Sequence, residues 1–256
     1  MRFSDEQRRE FARMLSEERL NRWKELARDP SLSTWRSRVE CKLPVDDEHA
    51  VLLHEWNSAL SFSMMATIQI LELSLRNHIH DTLSAYFGTR DWWGNLQGSR
   101  WSASSNLLPP QTDDINNAIT VSGRRSKGVT SGGVISELSF GFWLSLLGPS
   151  YDNPSGGIAH WRNCLHTVFD KAGRIGRKDA YAELERIVRL RNRCAHHEPI
   201  VTMNIGAEYA HILHFSRRFS RTTAEWIGQT SLVPHLTKPD WFNALRVSGR
   251  LVGSPP

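Results

Sequence analysis

An arginine, an asparagine and a histidine stand close together in the stretch Leu190-Arg191-Asn192-Arg193-Cys194-Ala195-His196-His197-Glu198-Pro199. On a helix of about 3.6 residues per turn, Asn192 and His196 share a face and Arg191 sits one residue's rotation to the side. The three side chains can therefore converge on one point. A guanidinium clamps a phosphate with paired donors, an amide orients a hydroxyl, and an imidazole moves a proton near neutral pH. A structural account exists for the same residues. Arg191 and Arg193 would solvate a helix end, and His196 and His197 would favour its negative dipole terminus.

Competing chemistries find less support. No His-Glu-x-x-His pattern occurs, and His211 and His214, three apart on a helix, have no carboxylate cluster beside them in the sequence. Asp46-Asp47-Glu48-His49 reads as an acidic helix start that complements the dipole. No glycine-rich phosphate loop precedes a helix, and no serine stands in a nucleophile-elbow setting. The expectation is a site with neither metal nor cofactor.

Helical patterns position the motif. Ser4 and Gln7 have capping-box spacing, Ser16 can cap a second start, and Phe11, Met14, Leu15, Leu20, Trp23 and Ala27 recur at three- and four-residue intervals. Pro30 ends that run, and a loop through Pro44 follows. Asp46 and Asp47 open a helix through Val51, Leu52, Trp56 and Leu60, with Ser61–Ser63 breaking or bending it before it resumes from Met64 to Phe87. Residues 89–110 read as a long surface loop, Asp113–Val121 as a modest helix, and the basic, glycine-rich Ser122–Gly133 as either a plain connection or a basic loop near nucleic acid. Further helices are expected over Val134–Leu147, Ile158–Phe169 and Gly206–Gln229. The motif helix is expected over Arg177–His197, with Ala182, Leu184, Ile187, Val188 and Leu190 facing inward. Pro199 stops it by disfavouring helical geometry at Glu198.

No alternating strand pattern or internal repeat is found, so the fold class is all-α. The expected organisation is an N-terminal helical extension over 1–45, a helical domain over 46–230 and a C-terminal tail over 231–256. A chain of 256 residues can bury a substantial core. Its net charge of +5 is compatible with a polyanionic partner. Three cysteines without CxxC spacing argue against a disulfide framework and fit a reducing cytoplasm. The polar N-terminus lacks a signal-peptide core, and no apolar run of membrane-span length stands out, so no membrane is expected as a partner.

Five segments, in order, resemble the bacterial Abi-like (abortive-infection, AbiD/AbiF-type) family of the HEPN superfamily. They are Leu15–Leu20, Glu55–Ser61, Gln69–Asn77, Ser136–Trp143 and Arg191–Ile200, and together they span roughly residues 15 to 205. The resemblance implies a HEPN-type helical bundle and a metal-independent endoribonuclease that acts in phage defence or as a toxin. It places the catalytic motif on Arg191, Asn192 and His196, with Arg193 inside the motif's variable positions. It also matches a second polar cluster, Glu72, Arg76 and Asn77, in which Glu72 and Arg76 have ion-pair spacing and His80 extends the face. Those residues serve equally well to hold a helix in its bundle, and Glu137, Phe140 and Trp143 read as packing residues.

Metal-free RNA cleavage needs a base for the 2′-hydroxyl, charge stabilisation at phosphorus and an acid for the departing 5′-oxygen. His196 supplies one proton-transfer group, Arg191 the charge, and Asn192 holds either the arginine or the ribose. A homodimer that sets two motifs across a shared cleft would supply the second proton-transfer group. His197 is an alternative within one chain, but adjacent helical residues point about 100° apart. The implied partners are RNA, a second copy of the chain, and a neutralising antitoxin protein or small RNA. The alternative class is a non-catalytic helical module that binds RNA or a protein through the same motif.

Overall fold

A computed structural model describes Glu6, Glu10 and residues 13–94, 107–125, 128–153 and 159–238. Every regular element in it is helical, and no strand occurs among the described residues. In chain order the helices are α1 (Glu17–Leu26), α2 (Ser33–Val39), α3 (Asp47–Phe87), α4 (Pro109–Arg125), α5 (Ser131–Glu137) and α6 (Phe140–Ser145). They continue as α7 (His160–Asn163), α8 (Arg177–Ala195), α9 (Ile205–Phe219), α10 (Arg221–Thr230) and α11 (Val233–Leu236). Short 3-10 turns occupy Pro30–Leu32, Pro149–Asp152 and Leu165–Phe169.

The chain groups into two compact units. One comprises the described residues up to Thr67, Arg191–Ala210 and those from Thr230, and the other comprises Ile68–Leu190 and His211–Gln229. The N-terminal helices thus belong to the unit that carries the Arg191 motif.

In the motif-bearing unit, Ser16 caps α1 by accepting the Arg19 amide, and Leu20 and Trp23 are buried. Lys24 pairs with Asp47 at the start of α3. Arg36 of α2 donates to the carbonyls of Ala27 and Asp29, 2.7 Å each, and satisfies groups left open at the end of α1. Trp56 of α3 donates its indole N–H to the Leu236 carbonyl at 3.1 Å, which fixes α11.

Helix α3 is the spine. Leu53, Leu60, Met64, Ile68, Leu71, Leu75, Ile79 and Leu83 have no solvent exposure and recur at the three-, four- and seven-residue spacings of one helical face. It runs unbroken through Ser61–Ser63, contrary to the expected break. Serine in a helix costs only tenths of a kcal/mol, and both flanking turns bury leucine or methionine. By length and composition alone α3 is long and apolar enough to cross a bilayer, as buried core helices also are.

In the second unit, α4 and α5 pack closely at Gly133, where an added Cβ would collide with the Ser122 hydroxyl. Tyr151 donates to Gln111 at 2.9 Å and accepts the Leu108 amide at 3.1 Å. Arg218 of α9 grips Glu183 of α8 with two donors, at 3.0 and 3.1 Å.

Several boundaries differ from expectation for local reasons. Helix α4 is longer at both ends, because Pro109 and Pro110 occupy first-turn positions that need no N–H, and it takes Ser122 into a buried place. The expected Val134–Leu147 helix is two, since Leu138 is extended and Ser139 caps α6 through the Phe142 amide. The Ile158–Phe169 run is a short helix and a 3-10 turn, divided at Cys164. Gly206–Gln229 splits at Ser220, whose hydroxyl accepts the Thr223 amide and starts α10. Met14, placed on the apolar stripe, is 78% exposed. Ala182 is exposed, and Ala180 is buried in its stead. The Ser4–Gln7 capping box, residues 95–106 of the loop, and the tail from 239 onward lie outside the described residues.

Candidate active site

Helix α8 buries Leu184, Ile187, Leu190 and Cys194. This registers its last turn so that Arg191 is half-buried and Asn192 and His196 are exposed. The end of α8 is a built cap. The His197 amide donates to the Cys194 carbonyl at 3.2 Å and the Glu198 amide to the Arg193 carbonyl at 2.9 Å. These are the two crossed bonds of a Schellman motif. His197 takes the left-handed position of that motif with φ 56°, where glycine is the usual occupant. Only the tight cap lets the chain leave the helix within one residue of His196.

Two side chains lock the exit. Arg193 donates to the Pro199 carbonyl at 2.7 Å and stands 3.4 Å from the Glu198 carboxylate. It is occupied in holding the turn. Asn57 of α3 is buried, accepts the Ile200 amide at 2.7 Å and donates to the Glu198 carbonyl at 3.4 Å. Asn57 lies within the Glu55–Ser61 segment, which by itself assigns it no chemical role. The signal was a polar amide in the middle of a strongly apolar helix, a position that asparagine disfavours unless it has a partner.

Within the motif, Arg191 donates to the Asn192 side-chain oxygen at 3.3 Å, so the amide does hold the arginine. The His196 amide bonds the Asn192 carbonyl at 2.9 Å, while its ring is open to solvent. Cys194, between them, is buried, and that burial pushes its thiol up to about 11. A thiol held so high is a packing group and not a nucleophile.

The same unit brings up groups that the motif search left out. His54 is half-buried on α3, one turn before Asn57, with its ring edge-on to Trp23 of α1 at 5.2 Å. Burial holds its imidazole below the ordinary histidine value, and the charges of Arg19 and His197 lower it further. Arg19 on α1 is exposed.

Glu72, Arg76, Asn77 and His80 lie on the part of α3 that belongs to the second unit. Glu72 and Arg76 are half-buried and Asn77 is exposed. His80 does not extend an exposed face. It is 1% exposed, and its Nδ1 accepts the Trp92 indole N–H at 3.0 Å. Phe140 and Trp143 are buried, and Glu137 pairs with Arg125.

His211 bonds the Glu183 carbonyl at 3.0 Å, and His214 lies 3.1 Å from the Arg218 guanidinium, so both imidazoles are engaged elsewhere. Among the described residues no group of three or more His, Cys, Asp and Glu side chains is arranged to hold a metal ion. The arrangement at the end of α8 offers a guanidinium, an amide and an open imidazole on a fixed turn, with a second, neutral-leaning imidazole in the same unit. Set against protein-family models, curated proteins and solved structures, the chain matches none, so its chemistry rests on these residues.

Proposed function

We propose that the chain is an endoribonuclease of HEPN type that cleaves RNA without a metal ion, through attack of the 2′-hydroxyl on the adjacent phosphorus. The observation that carries this reading is the grouping of a half-buried Arg191 with the exposed Asn192 and His196 on a cap held by Arg193 and Asn57. Catalytic groups gain most when their support is rigid. Arg191 meets the charge that develops on the phosphorane oxygens, Asn192 steadies the guanidinium, and His196 transfers a proton. The family-like segments extend the proposal to phage defence or toxin action in the cytoplasm, with a neutralising antitoxin protein or small RNA as partner. Two copies are proposed to pair with their α8 ends along one RNA-holding cleft.

The test is incubation of purified protein with total RNA in EDTA. Wild type should cut and leave 2′,3′-cyclic phosphate ends. His196→Ala and Arg191→Ala should each lose about 10²–10⁴-fold in rate with unchanged melting temperature, because neither side chain lies in the apolar core. Loss of wild-type cutting on chelation, restored by magnesium, would point to metal catalysis instead. RNA binding without any cutting would favour the non-catalytic module.

A further inference from the structure

In the second unit, the turn that follows α3 is tied back to that helix through a hydrogen bond between two rings. Trp92 donates its indole N–H to Nδ1 of His80 at 3.0 Å, and both residues are 1% exposed. A ring nitrogen that accepts carries no proton, so the proton of this neutral imidazole sits on Nε2. Nε2 is itself buried and meets no hydrogen-bond partner among the described residues. Trp93 packs beside the same ring, centroids 6.0 Å apart, and its own buried N–H is likewise without a partner. The imidazole thus has an indole donor at one nitrogen and no acceptor at the other. The charged groups that face it are Asp81 on α3 and Arg90 and Asp91 on the turn, and both carboxylates are engaged elsewhere. Asp81 pairs with Arg90 at 3.6 Å, and Asp91 accepts the Ser131 hydroxyl of α5 at 2.6 Å.

We propose that the Trp92–His80 bond is an acid-released latch: a proton on Nδ1 breaks it and lets Trp92 swing off α3 while the rest of the second unit stays folded. Protonation turns Nδ1 from an acceptor into a donor, aimed at the indole N–H that it had accepted. An imidazolium buried with neither N–H paired is costly, so the closed turn excludes it. Once the turn opens to water, His80 takes a proton near its ordinary value of about pH 6.5. The open state then binds more protons than the closed one, so closure is complete above that pH and weakens as the pH falls. Burial of the ring acts in the same direction and Arg90 adds to it, while Asp81 and Asp91 oppose without reversing it. The latch stands in the second unit whatever reaction the Arg191 motif performs. It presents a large apolar ring to solvent only in mild acid.

The experiment follows hydrogen exchange of the tryptophan indole N–H groups by NMR in the isotope-labelled full chain. The signal missing from Trp92→Phe identifies Trp92, and Trp143, buried on α6, is the control for unfolding of the unit. With the intrinsic pH dependence of exchange divided out, protection of the Trp92 indole should fall about tenfold between pH 6.5 and 5.5. Protection of Trp143 should not change over that range. In His80→Asn the side-chain oxygen takes the place of Nδ1 and does not titrate, so Trp92 should stay protected in acid. In Trp92→Phe the donor is gone, and the His80 ring signals should titrate closer to the ordinary histidine value than in wild type. A Trp92 protection that is flat in wild type overturns the latch, as does an equal loss at Trp143. Retained pH dependence in His80→Asn overturns it too. Should His80→Asn not fold, Trp92→Phe decides alone, and an unchanged titration of His80 in that variant removes the proposal.

Discussion

At the scale of single residues, the motif depends on a residue outside it. The Asn57 side chain accepts the buried Ile200 amide and donates back to the Glu198 carbonyl. Asn57→Ala leaves a buried N–H without that partner, a loss of about 1–3 kcal/mol. The expected outcome is a clearly lower urea midpoint together with slower RNA cutting, since the turn that carries His196 is loosened. Retained cutting with lowered stability would show that Asn57 supports the fold alone. Arg193 illustrates the opposite lesson. Counting it as free positive charge for RNA overlooks that its guanidinium closes the cap on Pro199 and Glu198.

The decisive element is the C-terminal cap of α8. A non-glycine residue in the left-handed region costs about 1–2 kcal/mol relative to glycine, and His197 bears that cost at φ 56°. His197→Gly should therefore stabilise the protein by about 1 kcal/mol in chemical denaturation, with the cap geometry kept. A β-branched replacement such as His197→Val should destabilise it, because the branched side chain crowds the backbone at positive φ. If glycine gives no gain, the histidine ring must contribute a compensating contact. Helix breaks elsewhere follow equally local rules. Ser139 and Ser220 end expected continuous helices because their hydroxyls cap the next one.

For the whole molecule, two imidazoles held below the ordinary value set a pH dependence. Burial lowers His80 first, with Arg90 adding to it, and burial lowers His54 with Arg19 and His197. In the unfolded chain both take a proton near pH 6.5, whereas the folded protein resists it. The unfolded state then binds more protons, so stability is full above that pH and falls as the pH drops towards the depressed folded values. Melting temperature should decline from about pH 7 to pH 5.5, and His54→Gln should make the slope shallower. An unchanged slope in that variant would mean that His54 titrates alike in both states.

Pairing is tested at the same scale. Sedimentation at working concentration should show a dimer, and mixed dimers of His196→Ala with Arg191→Ala chains should show partial activity if residues act across the interface. A full-rate monomer would remove the shared cleft. The net charge of +5 becomes useful to RNA only if exposed cations such as Arg19 are gathered locally.

The all-α class, the motif helix, the Ser16 cap and the helical stretches of α3 on either side of Ser61–Ser63 were legible in the sequence. Each is a consequence of helical periodicity or of a side chain acting on its own backbone within a few residues. The stop at Pro199 was legible for the same reason. What only the tertiary structure decided depends on partners far apart in the chain. Asn57 meets Glu198 and Ile200 across more than 140 positions, and His80 is a buried acceptor of an indole N–H because Trp92 folds back on it. The N-terminal helices belong to the motif's unit through contacts of the kind that Trp23 makes with His54. Periodicity says which face of a helix is apolar, but it does not say which distant group a polar residue on that face will find.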